Sequence, residues 1–385
     1  SPIRLLCNVH KEFSGVRIMA YTTIDDPSAH CQSVRWTGND TGQGARDFTF
    51  TGNSNMQPDM AIGIAENQQT AHMVTDSSRD WSNGNHEWSI NQANIEGDTN
   101  AINTGSYGWL GPGLTNGIRM SQAGNYWNVN TKPYTAACWK VNGGTTTSFS
   151  ESGNNPGGTR QTNTTAGMSI LTYTGTGANA SCQLAHGLPA TPTFIIFKRR
   201  DNANVPCVWH QGIGDDYKLV TSNYGAKDAD GAFMNSTLPD ATNIYVGGTS
   251  VNTNADAGTY VCYAWSPIQG YSKFGSYVGN GNSNGPFVYT GFKPAFVMIK
   301  RTDSTGGWTI YDTKRGFNGN NYELFPHSAE AEYTGTSYFE ADILSNGFKL
   351  RLTDGQINAS SGTYVYAAFA ENPFVTSTGI MGTAR

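Results

Sequence analysis

The best-spaced candidates for catalysis are two carboxylates. Glu330 and Glu332 flank one residue, so a strand would place both on one face. Two acids held ~5–9 Å apart can run glycoside hydrolysis. Their neighbours Ala329 and Ala331 provide no burial to push the two pKa values apart, so a solvated turn is the plainer reading. Asp215-Asp216 and Asp228-x-Asp230 lie in Gly-rich stretches and offer the oxygen ligands that Ca²⁺ takes, yet neither completes a loop pattern. The seven histidines (His10, His30, His72, His86, His186, His210 and His327) contain no His-x-x-x-His pair. Gly279-x-Gly281 resembles part of a dinucleotide loop, but no βαβ unit follows, and it reads as a turn. The chain is expected to be non-enzymatic, with no catalytic residue, no metal ligand and no cofactor.

Aromatic rings are the stronger signal. Six of the nine tryptophans fall in the first 139 residues: Trp36, Trp81, Trp88, Trp109, Trp127 and Trp139. Trp36 and Trp139 sit in apolar, strand-like contexts. Trp81, Trp88, Trp109 and Trp127, with Tyr107 and Tyr126, lie among Gly, Asn and Ser. Rings in such surroundings stack on sugar faces or anchor protein interfaces, and these six form the candidate contact surface. The competing reading is that they fill an unusual core.

These side chains must be carried by short strands, because the turn formers are dense. With 46 Gly and 15 Pro in 385 residues, long helices are excluded, while 12% aromatics exclude disorder. Charged residues make up 14%, the net charge is −5, and Lys198-Arg199-Arg200 is the one basic cluster. That pattern argues against nucleic acid. The longest apolar run, Tyr364 to Ala370, is too short for a membrane helix, so no membrane insertion is expected. Six cysteines show no metal spacing and read as reduced and mostly buried.

The chain repeats itself. Ile170-Leu171-Thr172-Tyr173-Thr174-Gly175, Phe194-Ile195-Ile196-Phe197-Lys198-Arg199 and Tyr260-Val261-Cys262-Tyr263-Ala264-Trp265 recur as Gly275-Ser276-Tyr277-Val278-Gly279, Phe296-Val297-Met298-Ile299-Lys300-Arg301 and Tyr364-Val365-Tyr366-Ala367-Ala368-Phe369. The offset is 102 residues from Phe194 to Phe296 and 104 from Tyr260 to Tyr364. A divergent first copy opens at Val34, carries Pro58-Asp59-Met60-Ala61-Ile62, and closes at Tyr134 to Trp139. His186-Gly187 answers to Thr290-Gly291, a swap that a shared ligand or base would not tolerate, so His186 reads as structural. The expected fold is all-β: three tandem antiparallel β-sandwich, jelly-roll-like domains of about 100 residues each. The expected divisions are an N-terminal segment and possible docking arm over 1–33, repeat 1 over 34–142, a linker over 143–166, repeat 2 over 167–270 and repeat 3 over 271–385.

The wording of the last copy, including Tyr271-Ser272-Lys273-Phe274-Gly275, Gly285-Pro286-Phe287-Val288-Tyr289-Thr290-Gly291-Phe292, Leu344-Ser345-Asn346-Gly347-Phe348 and Ala370-Glu371-Asn372-Pro373-Phe374, resembles an uncharacterised repeat domain of tailed-bacteriophage virion proteins, especially marine and cyanobacterial ones. The resemblance covers roughly 167–375 and fades over 1–142. It implies a virion location after assembly in the bacterial cytoplasm, other virion proteins as partners, and no established enzymatic residue. The expected function is a tail fibre or adhesin touching the host surface, homo-oligomeric with a trimer favoured, and with a host surface glycan as a further partner. Capsid decoration or a head fibre is the alternative, and a polysaccharide depolymerase the second alternative.

Overall fold

A computed structural model describes residues 20–39, 44–67, 70–82, 86–97, 109–121, 127–248, 250–316, 318, 322–334 and 341–382. Among them the only α-helix is Gly355–Asn358, and nearly all other regular structure is antiparallel strand. None of their helices is long and apolar enough to cross a membrane.

One four-stranded antiparallel arrangement occurs three times. An opening strand (Cys31–Thr37, Met168–Thr174, Ser272–Val278) pairs with a closing strand (Pro133–Trp139, Thr259–Trp265, Thr363–Pro373). On its far side the closing strand pairs with an inner strand (Met60–Ala65, Phe194–Arg199, Phe292–Arg301). The inner strand then pairs with an outer one (Met73–Asp76, Cys207–His210, Trp308–Asp312). Register repeats with the order: Met60, Phe194 and Phe296 lie opposite Trp139, Trp265 and Phe369. A smaller antiparallel sheet accompanies each copy. It is built from Arg46–Thr49, Gly117–Ser121 and Trp109–Leu114 in the first, from Ser181–Ala185 and Asn243–Gly247 in the second, and from Phe287–Tyr289, Gly347–Leu350 and Ala341–Leu344 in the third.

The closing strands explain why the copies do not stand as separate domains. In the third, Val365, Ala367 and Phe369 enter one cluster, while Tyr364, Tyr366, Ala368 and Ala370 enter another that includes the small sheet's Val288, Ile343 and Phe348. A strand that is apolar on both faces must be covered on both. The small sheet covers one face, and only the other two copies remain to cover the second. All three copies contribute to that shared core. Trp139, Trp265 and Phe369 meet there, with ring centroids 6.2, 5.4 and 6.5 Å apart. The three copies, expected in tandem, thus pack around one shared core.

The joints between copies repeat as well. The residue following each inner strand accepts a backbone bond from a neighbouring copy: Glu96 N–H to Arg200 O at 3.0 Å, Lys227 N–H to Thr302 O at 3.0 Å, and Glu332 N–H to Glu66 O at 2.6 Å. The cycle therefore runs from the first copy to the second, to the third, and back. At two joints a fully buried lysine strengthens it. Lys198 Nζ donates to Asn94 O and Asn204 O, and Lys300 Nζ to Gly225 O and Gly306 O. Burial lowers both lysines to about 8. At the same register the first copy has Ile64.

Two segments depart from expectation. The stretch 143–166, read as a linker from its Gly and Asn, carries strands Thr147–Phe149 and Gly158–Asn163, and the latter extends the second copy's sheet against Met168–Thr174. The opening strand of the first copy starts at Cys31, ahead of the expected boundary at 34. Immediately before it, Ile24 enters the shared core and the Thr22 hydroxyl donates to Gln269 O, 2.8 Å away, tying this segment to the link between the second and third copies.

Candidate surface-contact site

The tryptophan surface expected in the first copy is corrected by burial. Trp81, Trp88 and Trp127 are interior side chains. The rings are admitted by notches at glycines distant in the chain. A Cβ on Gly63 would lie 2.8 Å from Trp127 Cη2, and one on Gly113 3.0 Å from Trp81 Cζ2. Trp88 lies at the joint between the first and second copies, its Nε1–H donating to the Tyr263 hydroxyl at 3.1 Å. Trp109 is half-buried. Tyr107 and Tyr126 fall outside the described residues.

The candidate acids and histidines are engaged by other groups of the protein. Glu332 accepts from Arg315 Nη1 at 2.6 Å, whereas Glu330 accepts from the Tyr224 hydroxyl at 3.2 Å on the surface. These two acids thus hold separate partners. Asp228 and Asp230 both pair with Lys218, at 2.9 and 2.8 Å, in place of a cation. Asp216 accepts from the Ser236 hydroxyl at 2.5 Å. His186 Nδ1 accepts from Leu188 N–H at 3.0 Å, and Thr290 Oγ1 receives the matching bond from Phe292 N–H at 3.4 Å. A ring and a hydroxyl thus fill one structural role, as their exchange between copies implied. Gly281-Asn282-Ser283-Asn284-Gly285 spells a nucleophile-elbow pattern that sequence reasoning passed over. It forms a turn between strands, with no helix behind Ser283 to build the elbow. The described cysteines, Cys31, Cys138, Cys182, Cys207 and Cys262, are buried and free. Among the described residues no three His, Cys, Asp or Glu side chains gather as a metal set.

Exposed rings gather on the third copy. Within Phe287–Tyr289 the burial alternates, so Phe287 and Tyr289 point outward, 45% and 47% exposed, while Val288 points into the core. Beside Tyr289 lies an open cleft of about 380 Å³, lined by Tyr21, Gln269, Lys273 and Thr290 among others. The Tyr21 hydroxyl donates to Gly291 O at 2.7 Å and lies 3.1 Å from the Tyr289 hydroxyl. Lys273 Nζ donates to Tyr289 O at 2.8 Å and sits 5.1 Å from that ring's centroid. The half-buried Lys273 ammonium is desolvated, which lowers its pKa. Rings, hydroxyls, an amide and an ammonium converge there, a set suited to a polyhydroxylated ligand.

The family match spans this whole arrangement. A model described as a domain of unknown function, DUF7483, matches residues 26–373, from the turn before the first opening strand to the end of the last closing strand. The chain belongs to that family. No curated protein and no solved structure matches the chain. Since the matched span holds all three copies, the unit that defines DUF7483 here is the three-copy body rather than one repeat.

Proposed function

We propose that this DUF7483 chain is a non-enzymatic structural protein of a tailed-phage virion, a tail-fibre or adhesin component that touches the host surface through the third copy. The observation that carries this reading is the exposed Phe287 and Tyr289 beside an open cleft, on a body whose other large rings are mostly packed inside. Buried charges support it: Arg79, Lys198, Lys300 and Arg315 are engaged at or beside the joints between copies. A rigid body with one ring-bearing face suits attachment better than turnover. On this reading each copy is a jelly-roll-like β-sandwich, the chain assembles into a homo-oligomer with other virion proteins, and a trimer is favoured. Capsid decoration is the second reading, favoured by the copies packing about one core instead of forming an extended spacer. The depolymerase alternative loses its acid pair, since Glu332 is held by Arg315.

Immunogold labelling of purified virions, with antibody to the recombinant chain, tests the proposal. Label at the tail end is the expected result, and label over the head selects decoration. Virions that carry no label would overturn both.

A further inference from the structure

We propose that the exposed strip of the third copy binds an acidic polysaccharide, its rings stacking on sugar faces and Lys273 and Lys349 pairing with sugar carboxylates. The inference rests on reading this face as the contact surface and adds the class of ligand. Phe287 and Tyr289 are two residues apart on one strand, placing their rings about 7 Å apart on the same side. Lys349 lies opposite Phe287 across the sheet, and Gly347 opposite Tyr289. A Cβ on Gly347 would come within 3.0 Å of Phe287 Cε2, so glycine there leaves room for the Phe287 ring.

Charge selects the acidic class. The one carboxylate paired with Lys349 in the strand register, Asp342, is bound to Arg351 at 2.5 Å. Lys349 Nζ donates to Gly285 O at 2.8 Å, and Lys273 Nζ to Tyr289 O at 2.8 Å. An ammonium has three N–H donors, so each lysine keeps two for a ligand. Neither lysine has an ion-pair partner among the described residues, and the cleft lining holds no Asp or Glu. On a chain of net charge −5, two uncompensated cations flanking exposed rings make a local site for anions. A neutral sugar would use the rings alone. A carboxylate-bearing one also gains charge-assisted hydrogen bonds.

The test titrates the full chain with oligogalacturonate and, separately, with dextran fragments of matched length, by isothermal calorimetry. The expected result is binding of oligogalacturonate that weakens at least ~10-fold at high salt, weakens similarly in the Lys273→Gln/Lys349→Gln double variant, and is lost in Tyr289→Ala. Dextran is expected not to bind. These substitutions lie on the surface, and circular dichroism verifies that each variant stays folded. Equal binding of dextran, with the lysine variants unaffected, overturns the acidic class while the contact face stands. If neither glycan binds but Tyr289→Ala virions adsorb poorly to host cells, the ligand class alone is overturned. With no binding and normal adsorption of Tyr289→Ala virions, both readings fall.

Discussion

The joint between the first and second copies and the joint that closes the third onto the first share a backbone bond but differ in what fills them. At the first, Tyr263 projects from the closing strand of the second copy. Its hydroxyl donates to Asp76 Oδ2 at 2.6 Å and accepts from Arg79 Nη2 at 3.0 Å and Trp88 Nε1 at 3.1 Å. Glu96 holds Arg79 and Arg200 together, and Lys198 reaches across to Asn94. The corresponding positions at the closing joint are Ala137 and Ile64. Asp312 and Arg315 repeat the Asp76 and Arg79 pair, yet among the described residues no tyrosine hydroxyl bonds to them, and a void of about 10 Å³ lies among Ala137, Ile64 and Asp312. A polar cleft of about 270 Å³, lined in part by Gln32, Thr51, Lys314 and Glu371, opens at the same joint. Backbone geometry alone can thus close the ring, while side chains decide how firmly each joint is held.

The largest effect is expected from Tyr263→Ala, which empties the first joint, takes a partner from Asp76 and Arg79 and leaves Trp88 Nε1 without its acceptor. A loss of ~3–5 kcal/mol is expected in urea unfolding. A loss under 1 kcal/mol would erase the distinction between the joints. Next comes Lys300→Met, which leaves the Gly225 and Gly306 carbonyls without their donor. It should cost about 2–4 kcal/mol. Ile64→Met, at the same register in the first copy, should cost less than about 1.5 kcal/mol. Comparable losses at both sites would show that the lysines act as filler and not as clamps.

Acid should separate the joints further. Burial opposes ionisation of Glu96, but Arg79, His86 and Arg200 outweigh it and hold its pKa down to about 2. Stability from Glu96 is therefore complete above its ordinary 4.5 and lost as pH falls toward 2. At the closing joint burial dominates, raising Glu332 against Arg315 and Glu66 against Arg35. Protonating those two as pH falls relieves a burial cost, so their contribution has the opposite sign. The equivalent amides of Glu96 and Glu332 report the two joints directly. Hydrogen exchange at pH 3.5, compared with pH 7 after correction for intrinsic rates, should show Glu96 losing protection first. Earlier loss at Glu332 would reverse the assignment. The smallest effect is expected from Ala137→Val beside the void, a change within about 1 kcal/mol. A larger destabilisation would mean that the closing joint is packed as tightly as the first.

Part of this was legible beforehand. Tyr260–Trp265 and Tyr364–Phe369 are apolar at every position, as a strand covered on both faces must be, and the matching offsets tied the copies together. His186 was recognisable as structural because Thr290 replaces it. The contact strip was not legible as such. Phe287-Val288-Tyr289 is a short apolar run, and such a run looks the same whether its outer rings meet solvent or another sheet. Lys198-Arg199-Arg200 stood out only as the one basic cluster, whereas Lys198 is buried and Arg200 meets Glu96.

Sequence alone determined that the chain is built of β-strands and that three copies of a unit recur, because strand period, turn chemistry and offset are local properties carried by each segment. Tertiary structure decided which faces meet. Trp81 and Trp127 entered the core because Gly113 and Gly63, distant in the chain, leave notches for their rings. The second apolar face of each closing strand found its cover in the other copies. Burial is a property of what lies opposite a side chain, and no local pattern records the other side.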